Sequence, residues 1–382
     1  MKLLIPVASG FEQTVKRQLF RLGFEKAPAY DGRIEVEGNW LDVARLNLFL
    51  RSGERVLIKL AQFPAKTFDE LFDGVYAIEW ENWLETDSKI LMDGKSVSST
   101  LGAIKATGGV AKKAIIRRLS DKKRGARQTF SENGARSIIG ISILKDVATI
   151  TLDTSGDGLH KRGYRTLSYT APLKETFASA LIDNTFYSPE NAESKPFADP
   201  FCGSGTLPIE ACLKALEIAP GLNRTFDFEK WKIFDKNLLT LAKEEARDKE
   251  KRNRKLLIYG SDVNPQAISI AKYHAKQAGV DNYIRFSVAD VRNFQSEEKY
   301  GVLLSNPPYG ERLSDIKSVQ ALMRDFGKTF RSLPDWSGYI LTSLPEFERY
   351  FGKNADKRKK LFNANLPCGF YSYLGAKPKK DE

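Results

Sequence analysis

DPFCGSGT, at residues 199–206, is the stretch that decides the fold, and the helical pattern LPIEACLKAL follows it directly. Residues 197–199 have the composition of a buried strand, so the motif lies where a strand ends and a helix begins. Gly203 and Gly205 allow the backbone to approach a ligand at the carboxyl edge of a sheet. No Gly-Lys-Ser/Thr follows, and the full GxGxxG spacing is absent, so this is not a Walker loop. By itself the motif is equally compatible with a structural tight turn.

The chain from about residue 168 onward alternates strand and helix patterns, as in a doubly wound α/β fold. We predict strands at 197–199, 256–262, 283–289, 301–306 and 338–342. Two final strands, at 360–365 and 369–374, are too close together for a helix between them. They should therefore form an antiparallel hairpin at the edge of the sheet.

Two aspartates follow the predicted second and third strands. Asp262 lies in YGSDVNPQAI, where an acidic side chain can accept hydrogen bonds from both ribose hydroxyls of an adenosine. The alternative is that Asp262 is only a turn or capping residue, but its position between strand and helix favours binding. Asp290 can bond an adenine amino group, although this signal is weak alone because Asp ends many strands.

SNPPYGERL, at residues 305–313, is the most specific signal in the sequence. The lone pair of an aromatic exocyclic amine is delocalised into the ring, so methyl transfer to it requires that the amine be held pyramidal. The Asn306 side-chain oxygen and the Pro307 carbonyl can accept its two hydrogens, without a strong general base. Tyr309 can stack on an extruded base. A proline-rich structural turn would explain the motif alone, but not in register with the three upstream motifs.

The N-terminal part has a different pattern, in which strand and helix alternate over the first 60 residues as in a small ferredoxin-like unit. Residues 137–155 read as two strands with a turn near Lys145 and Asp146.

The assembled motifs resemble the class I Rossmann-like methyltransferases that modify exocyclic amines. More closely, the chain resembles the THUMP-domain RNA methyltransferases related to the bacterial large-subunit (23S) ribosomal RNA guanine-N2 methyltransferase. The resemblance covers nearly the whole chain. It is carried by PVASGFEQTVKRQL (6–19), LHKRGYR (159–165), TAPLKETFASALI (170–182), DPFCGSGTLPIEA (199–211), GSDVNPQAI (260–268) and SNPPYGERL (305–313).

This resemblance implies an α/β fold, with a Rossmann-like class I methyltransferase domain preceded by ferredoxin-like and THUMP α+β modules. We place the ferredoxin-like unit at 1–60, the THUMP RNA-binding domain at 61–158, a linker at 159–167 and the methyltransferase domain at 168–382. The implied cofactor is S-adenosylmethionine, and the implied target is the N2 amine of a guanine in 23S ribosomal RNA. The cofactor residues that we assign are Asp199, Phe201, Gly203, Ser204, Gly205, Thr206, Asp262, Val263, Asp290, Val291 and Asn306. The catalytic residues are Asn306, Pro307, Pro308 and Tyr309.

A basic segment between residues 105 and 127 is the predicted RNA-binding surface. It holds nine basic residues and a single acid, Asp121, and Ala111, Ile115 and Leu119 form an apolar row typical of an amphipathic helix. A solvated basic helix face is the alternative reading. The predicted RNA contacts are Lys112, Lys113, Arg117, Arg118, Lys122, Lys123, Arg124 and Arg127, with Lys161, Arg162 and Arg165 in the linker.

The composition bears on the partners, the metal or disulfide content and the compartment of the protein. Sixty Lys and Arg against 48 Asp and Glu give a formal charge of +12, which modestly favours polyanion partners. Three cysteines without metal-ligand spacing and only two histidines argue against a disulfide framework or a metal site. Neither a signal peptide nor a membrane-spanning segment is expected, so we predict a cytoplasmic protein. The sequence carries no signal for an oligomeric state.

Three other functions remain open at this stage. Transfer RNA is the alternative RNA substrate. A DNA adenine-N6 methyltransferase would share the chemistry of Asn306 and Tyr309, but we find no DNA target-reading domain after the catalytic core. A non-catalytic RNA-binding factor on the same scaffold would not need Asp262 and Asn306 intact.

Overall fold

The computed structural model describes residues 1–122, 131–167, 173–309 and 313–377. Two seven-stranded sheets organise the chain. The first contains β1 Lys2–Pro6, β2 Ala29–Tyr30, β3 Arg33–Glu37, β4 Leu57–Pro64, β5 Lys89–Val97, β6 Arg136–Leu144 and β7 Val147–Asp153, with helices α1 Glu12–Arg21, α2 Trp40–Phe49, α3 Phe68–Tyr76 and α4 Ile104–Lys122.

The first four strands form the ferredoxin-like unit. Their order is β4-β1-β3-β2, and α1 and α2 provide the two crossovers of a βαββαβ chain. Helices α2 and α3 each begin with a capping box: Asn39 forms one with Asp42, and Thr67 forms one with Glu70.

β4 belongs to both N-terminal modules. It pairs antiparallel with β1 on one side and with β7 on the other, so the ferredoxin-like and THUMP strands form one continuous sheet. The module boundary predicted at residue 60 falls inside this strand. The predicted turn between β6 and β7 is present, with φ of 50° at Lys145 and 60° at Asp146, which is the geometry of a tight hairpin turn.

The segment that joins the N-terminal modules to the second sheet is held by a half-buried arginine of the catalytic half, Arg224. Arg224 donates to the carbonyls of Gly158 (2.6 Å), Asp157 (2.6 Å), Lys161 (3.1 Å) and Ser155 (3.3 Å). These bonds satisfy carbonyls that a loop would otherwise leave to water. The linker is thus fixed against the catalytic half of the molecule.

The second sheet is the doubly wound unit. Its strands are β8 Phe197–Asp199, β9 Ile258–Asp262, β10 Ile284–Val288, β11 Val302–Ser305, β12 Ser337–Thr342, β13 Lys357–Asn363 and β14 Leu366–Tyr373, with helices α5 Glu175–Ile182, α6 Thr206–Ala215, α7 Lys236–Asp248, α8 Pro265–Gln277, α9 Leu313–Arg331 and α10 Phe347–Phe351. The strand order is β10-β9-β8-β11-β12-β14-β13. The first five strands are parallel, and β14 and β13 form the predicted antiparallel hairpin at the edge.

The chain reverses direction across the sheet between β8 and β11. From β8 it proceeds outward to β9 and β10, then returns to β11 on the other side. Such a reversal opens a crevice at the carboxyl ends of the strands, which is where α/β sheets bind ligands. Within the described ranges, no helix is long and apolar enough to cross a membrane.

Candidate active site

The predicted motif residues converge on the carboxyl edge of the second sheet. Asp199 ends β8, Asp262 ends β9, and Asn306 directly follows β11. Asp290 lies two residues beyond the end of β10. Because β8 and β11 are paired neighbours at the reversal point, the loops after them line the same crevice.

The carboxylate of Asp199 links the loop after β8 to the strand that carries Asn306. It accepts hydrogen bonds from the Phe201 backbone N–H (3.0 Å) and from the Ser305 hydroxyl (2.6 Å). The pKa of Asp199 is raised to about 7, chiefly because the carboxyl group is buried. The two hydrogen bonds oppose this increase, and the neighbouring carboxylate of Asp262 adds to it. A cationic ligand at this edge would favour the ionised form.

Asp262 has the acceptor geometry that ribose hydroxyls require. One carboxylate oxygen accepts from Gly203 N–H (3.1 Å) and the other from Asn264 N–H (2.9 Å). Each carboxylate oxygen can accept a second hydrogen bond, and the residue is only half-buried. Beside it, the apolar side chain of Val263 is 62% exposed, a position suited to packing on a flat ring.

The loop between Asp199 and Thr206 needs its glycines. Gly205 has φ +86°, and a Cβ at this position would lie 2.9 Å from the Ala271 Cβ, so only glycine fits without displacing α8. Gly203 also has a positive φ, of 51°. This backbone leaves room for a ligand that approaches it closely.

Residues outside the motif clamp the same loop. The Nδ1 atom of buried His274 lies 3.2 Å from the Ser204 carbonyl, and Arg165 donates to the Thr206 hydroxyl at 2.5 Å. Ser204 and Thr206 are themselves buried. The sequence predicted an RNA contact at Arg165, because this position carries no local signal for loop support.

Two of the predicted cofactor residues have side chains that pack into the domain. The half-buried Phe201 ring packs edge-to-face on Phe326 at 5.2 Å, and Val291 is buried in the core. The Val291 side chain is therefore not available to a ligand in this conformation. Asp290 remains at the edge, where its carboxylate pairs with Arg292 at 2.8 Å.

The catalytic loop holds Asn306 half-buried, Pro307 buried and Pro308 exposed. The Tyr309 hydroxyl donates a hydrogen bond to the Asn306 side-chain oxygen. Burial raises the pKa of Tyr309, so the phenol is a neutral donor at physiological pH. In this conformation the tyrosine occupies an acceptor that an exocyclic amine would use.

The basic segment forms α4, with Ala111, Ile115 and Leu119 buried as predicted. Lys113 and Arg117 are exposed. Arg117 pairs with Asp121 one turn along the helix (2.9 Å), and Arg118 makes a two-pronged pair with Glu81 (2.8 and 3.1 Å). Lys112 donates to the Ile90 carbonyl and pairs with Glu132. The Lys122 ammonium lies 3.6 Å from the Glu81 carboxylate. The other predicted contacts of this segment lie outside the described residues: Lys123, Arg124 and Arg127.

The three predicted RNA contacts of the linker differ in their exposure to solvent. Lys161 is exposed and lies near Asp157. The Arg162 side chain is 2% exposed and faces the buried Glu210 carboxylate at 3.6 Å. Its predicted RNA contact is therefore incompatible with its burial, and Arg162 stabilises the linker instead. Arg165 pairs with Glu175 in addition to Thr206.

Comparisons with known proteins agree with this geometry. Residues 162–371 match the family model described as the RMKL-like methyltransferase domain, residues 2–57 match the RlmL ferredoxin-like domain, and residues 65–153 match the THUMP domain. The chain belongs to the RMKL-like methyltransferase family.

Among relatives, this methyltransferase is 41% identical to the "Putative RNA methyltransferase YpsC" of Bacillus subtilis (strain 168), over 97% of this chain and 95% of that protein. It is 33% identical to the ribosomal RNA large subunit methyltransferase K/L of Psychromonas ingrahamii (strain DSM 17664 / CCUG 51855 / 37), over 98% of this chain but 50% of that protein. The chain thus spans about half the length of the K/L relative.

Among solved structures, SMU.472, described as a putative methyltransferase complexed with SAH, has a TM-score of 0.93 and 40% identity over 99% of both chains. A protein from Listeria monocytogenes str. 4b F2365, described as a predicted N6-adenine-specific DNA methylase, has a TM-score of 0.92 and 43% identity, over 98% of this chain and 96% of that one. S-adenosylmethionine is accordingly the cofactor of the methyltransferase, and the acceptors of Asp262, the close backbone of Gly205 and the exposed Val263 fit an adenosine. No cluster of metal-binding side chains occurs in the parts of the chain that the structure describes.

Replacing Asp262 with Ala should weaken binding of S-adenosylhomocysteine at least 100-fold. The change removes two charge-assisted hydrogen bonds to ligand hydroxyls, each worth roughly 1.5–3 kcal/mol. Isothermal titration calorimetry measures the affinity, and Asp281→Ala, at an exposed aspartate of the same domain, is the matched control. Unchanged affinity in Asp262→Ala would remove this residue from the cofactor site.

Replacing Asp199 with Asn should stabilise the ligand-free protein at pH 8 more than at pH 5. The folded state raises the pKa of Asp199 from 3.8 to about 7. Between these values the folded state holds the extra proton, so this carboxyl lowers stability progressively as pH rises towards 7. Asn keeps the acceptor for Ser305 without a charge, and the gain at pH 8 should be on the order of 1–3 kcal/mol.

Thermal unfolding of Asp199→Asn and of the exposed control Asp281→Asn, each at both pH values, provides the measurement. An equal shift of the melting temperature at pH 5 and pH 8 would contradict the assigned ionisation.

Proposed function

We propose that this protein methylates the exocyclic N2 amine of a guanine in 23S ribosomal RNA. The observation that carries the proposal is the position of Asn306, directly after β11 and beside the crevice formed by Asp199 and Asp262. S-adenosylmethionine supplies an electrophilic methyl group at this edge. The chain's own task is then to hold the amine so that its lone pair faces that group.

Two acceptors perform this task in the proposed mechanism. The Asn306 side-chain oxygen and the Pro307 carbonyl each accept a hydrogen bond from one N–H of the amine. These two bonds fix the orientation of the amine and stabilise the positive charge that develops on it. The hydrogen bond between Ser305 and Asp199 keeps Asn306 in register with the cofactor loop. The Tyr309 hydroxyl occupies one acceptor position of the Asn306 oxygen, and its ring can stack on the base that carries the amine.

The choice of RNA rests on the N-terminal half of the molecule. A THUMP domain spans residues 65–153, and its α4 helix exposes Lys113 and Arg117. The chain also has a formal charge of +12. Among the relatives, the K/L enzyme acts on large-subunit ribosomal RNA by its name. The THUMP domain and the charge favour RNA, and the name of the K/L relative favours ribosomal RNA over transfer RNA.

A DNA adenine-N6 methyltransferase is the second candidate. The description of the Listeria protein favours it, and Asn306 with Tyr309 would serve adenine equally well. Tritiated S-adenosylmethionine should be incubated with unmodified 23S ribosomal RNA, unmodified transfer RNA and duplex DNA in parallel. Mass spectrometry of the nucleosides should give N2-methylguanosine from 23S RNA; N6-methyladenine in DNA, or label in transfer RNA alone, would overturn the proposal.

Asn306→Ala should lower single-turnover methyl transfer about 100- to 1000-fold while leaving both binding steps intact. Loss of one preorganised hydrogen-bonding group at a transition state typically costs about 3–4 kcal/mol. Asn237→Ala, at an exposed asparagine of α7, is the control, and rates are compared at saturating cofactor and RNA. Wild-type turnover in Asn306→Ala would reduce the motif to a structural turn.

Tyr309→Phe should retain activity, because it keeps the ring and releases the Asn306 oxygen from the hydroxyl. Tyr309→Ala should raise the KM for RNA and lower kcat, since stacking on a base is worth roughly 1–3 kcal/mol. Steady-state kinetics on the same RNA separates the two variants. Equal loss of activity in both would assign the role to the hydroxyl instead of the ring.

The double variant Lys113→Ala/Arg117→Ala should weaken RNA binding and reduce the slope of log affinity against log salt by about 0.7–0.9 per lost phosphate contact. Arg118→Ala should mainly lower thermal stability, because it leaves Glu81 without its two-pronged partner. Filter binding across a salt series, with calorimetric titration of the cofactor as control, distinguishes them. A wild-type salt slope in the double variant would make α4 only a solvated face.

A further inference from the structure

The β13–β14 hairpin extends beyond the rest of the sheet on the side of the active site. The last pair that joins β14 to β12 is Gly369 with Thr342, at the carboxyl end of β12. β14 begins three residues earlier, at Leu366, and β13 continues to Asn363. At about 3.4 Å per residue, the turn at 364–365 stands roughly 10 Å above the edge from which the catalytic loop emerges.

The base of this hairpin touches the catalytic loop. The Cys368 sulfur lies 3.9 Å from the Tyr309 hydroxyl oxygen, and Cys368 is paired with Leu361 across the hairpin. Cys368 and Leu361 are buried. The projecting turn is therefore anchored beside the tyrosine that we assign to base stacking.

Large apolar side chains are exposed at the tip. Phe362 is 46% exposed and Leu366 is 42% exposed, and the Lys360 ammonium lies 5.8 Å from the centre of the Phe362 ring. Strand β13 reads KRKKLFN and holds no acid. Arg358 is paired with Glu348, which leaves Lys360 as the cation next to the ring. Lysines alone could protect an edge strand from aggregation, but that purpose does not call for an exposed phenylalanine and leucine.

We propose that the tip of this hairpin is a second contact surface for the RNA substrate, formed by Lys360 and Phe362, which lie on one face of β13. Phe362 stacks on an unpaired base next to the target nucleotide, and Lys360 meets the adjoining phosphate. Single-stranded RNA is the occupant because aromatic stacking combined with positive charge is how such strands are held, and because Cys368 anchors the hairpin to the catalytic loop. This inference rests on the proposed function and extends it to residues that flank the target.

The test compares Phe362→Ala and Lys360→Ala with Phe20→Ala, which removes an exposed phenylalanine on α1 (66% exposed). The substrate is total RNA from a strain that lacks this protein. We expect a 5- to 10-fold rise in KM for Phe362→Ala, with kcat within twofold, while Phe362→Tyr restores the wild-type KM. Lys360→Ala should reduce the salt slope of binding by about 0.7–0.9. Melting temperature and cofactor affinity should stay at wild-type values.

A direct binding assay separates this inference from the proposed function. Fluorescence anisotropy with a labelled 12-nucleotide single-stranded RNA measures the Kd of every variant without any methyl transfer, and the DNA of the same sequence serves as comparison. If the wild type methylates no RNA, the proposed function fails, yet a 5- to 10-fold weaker Kd in Phe362→Ala still supports the surface. A Kd for Phe362→Ala that equals the Kd of Phe20→Ala, or tighter binding of DNA than of RNA, would overturn it.

Discussion

The buried carboxylate of Asp199 is the constraint on which the site depends. It accepts hydrogen bonds from the loop after β8 and from Ser305 at the end of β11, so one side chain fixes the spacing between the cofactor loop and the strand that leads to Asn306. Its burial makes the ionised form unfavourable, with the pKa raised to about 7. Such local instability is tolerated at functional sites, where the ligand supplies the missing compensation.

Much of the catalytic half could be predicted from sequence, because its signals are local. The strand at Phe197–Asp199 was predicted with its observed bounds, and the edge hairpin followed from the absence of room for a helix between its strands. Asp262 and Asn306 were placed correctly at strand ends because parallel strands bring their carboxyl ends to one edge. The roles of these residues in chemistry stay predictions.

Partners distant in sequence decide the environment of a charged side chain, and the sequence does not show them. Within the basic segment Asp121 is the only acid, yet folding brings Glu81 to Arg118 and Glu132 to Lys112. Arg162 is likewise drawn inward by Glu210. A run of positive charge predicts solvent exposure only when no acidic residue elsewhere in the fold faces it. Ser305 begins the SNPPYGERL motif, but no local sequence pattern indicates its hydrogen bond to Asp199.

The strand shared by the two N-terminal modules has a consequence for how the protein can vary. Because β4 is hydrogen-bonded to β1 on one side and to β7 on the other, neither module can be removed without leaving an unpaired strand edge in the other. The two modules therefore behave as one rigid arm, which is fixed to the catalytic half by buried Arg162 of the linker and by half-buried Arg224. The arm therefore fixes the distance between its substrate-binding surface and the atom to be modified. Selection for a new target would have to change that surface or the crevice, since the distance between them is set by the backbone.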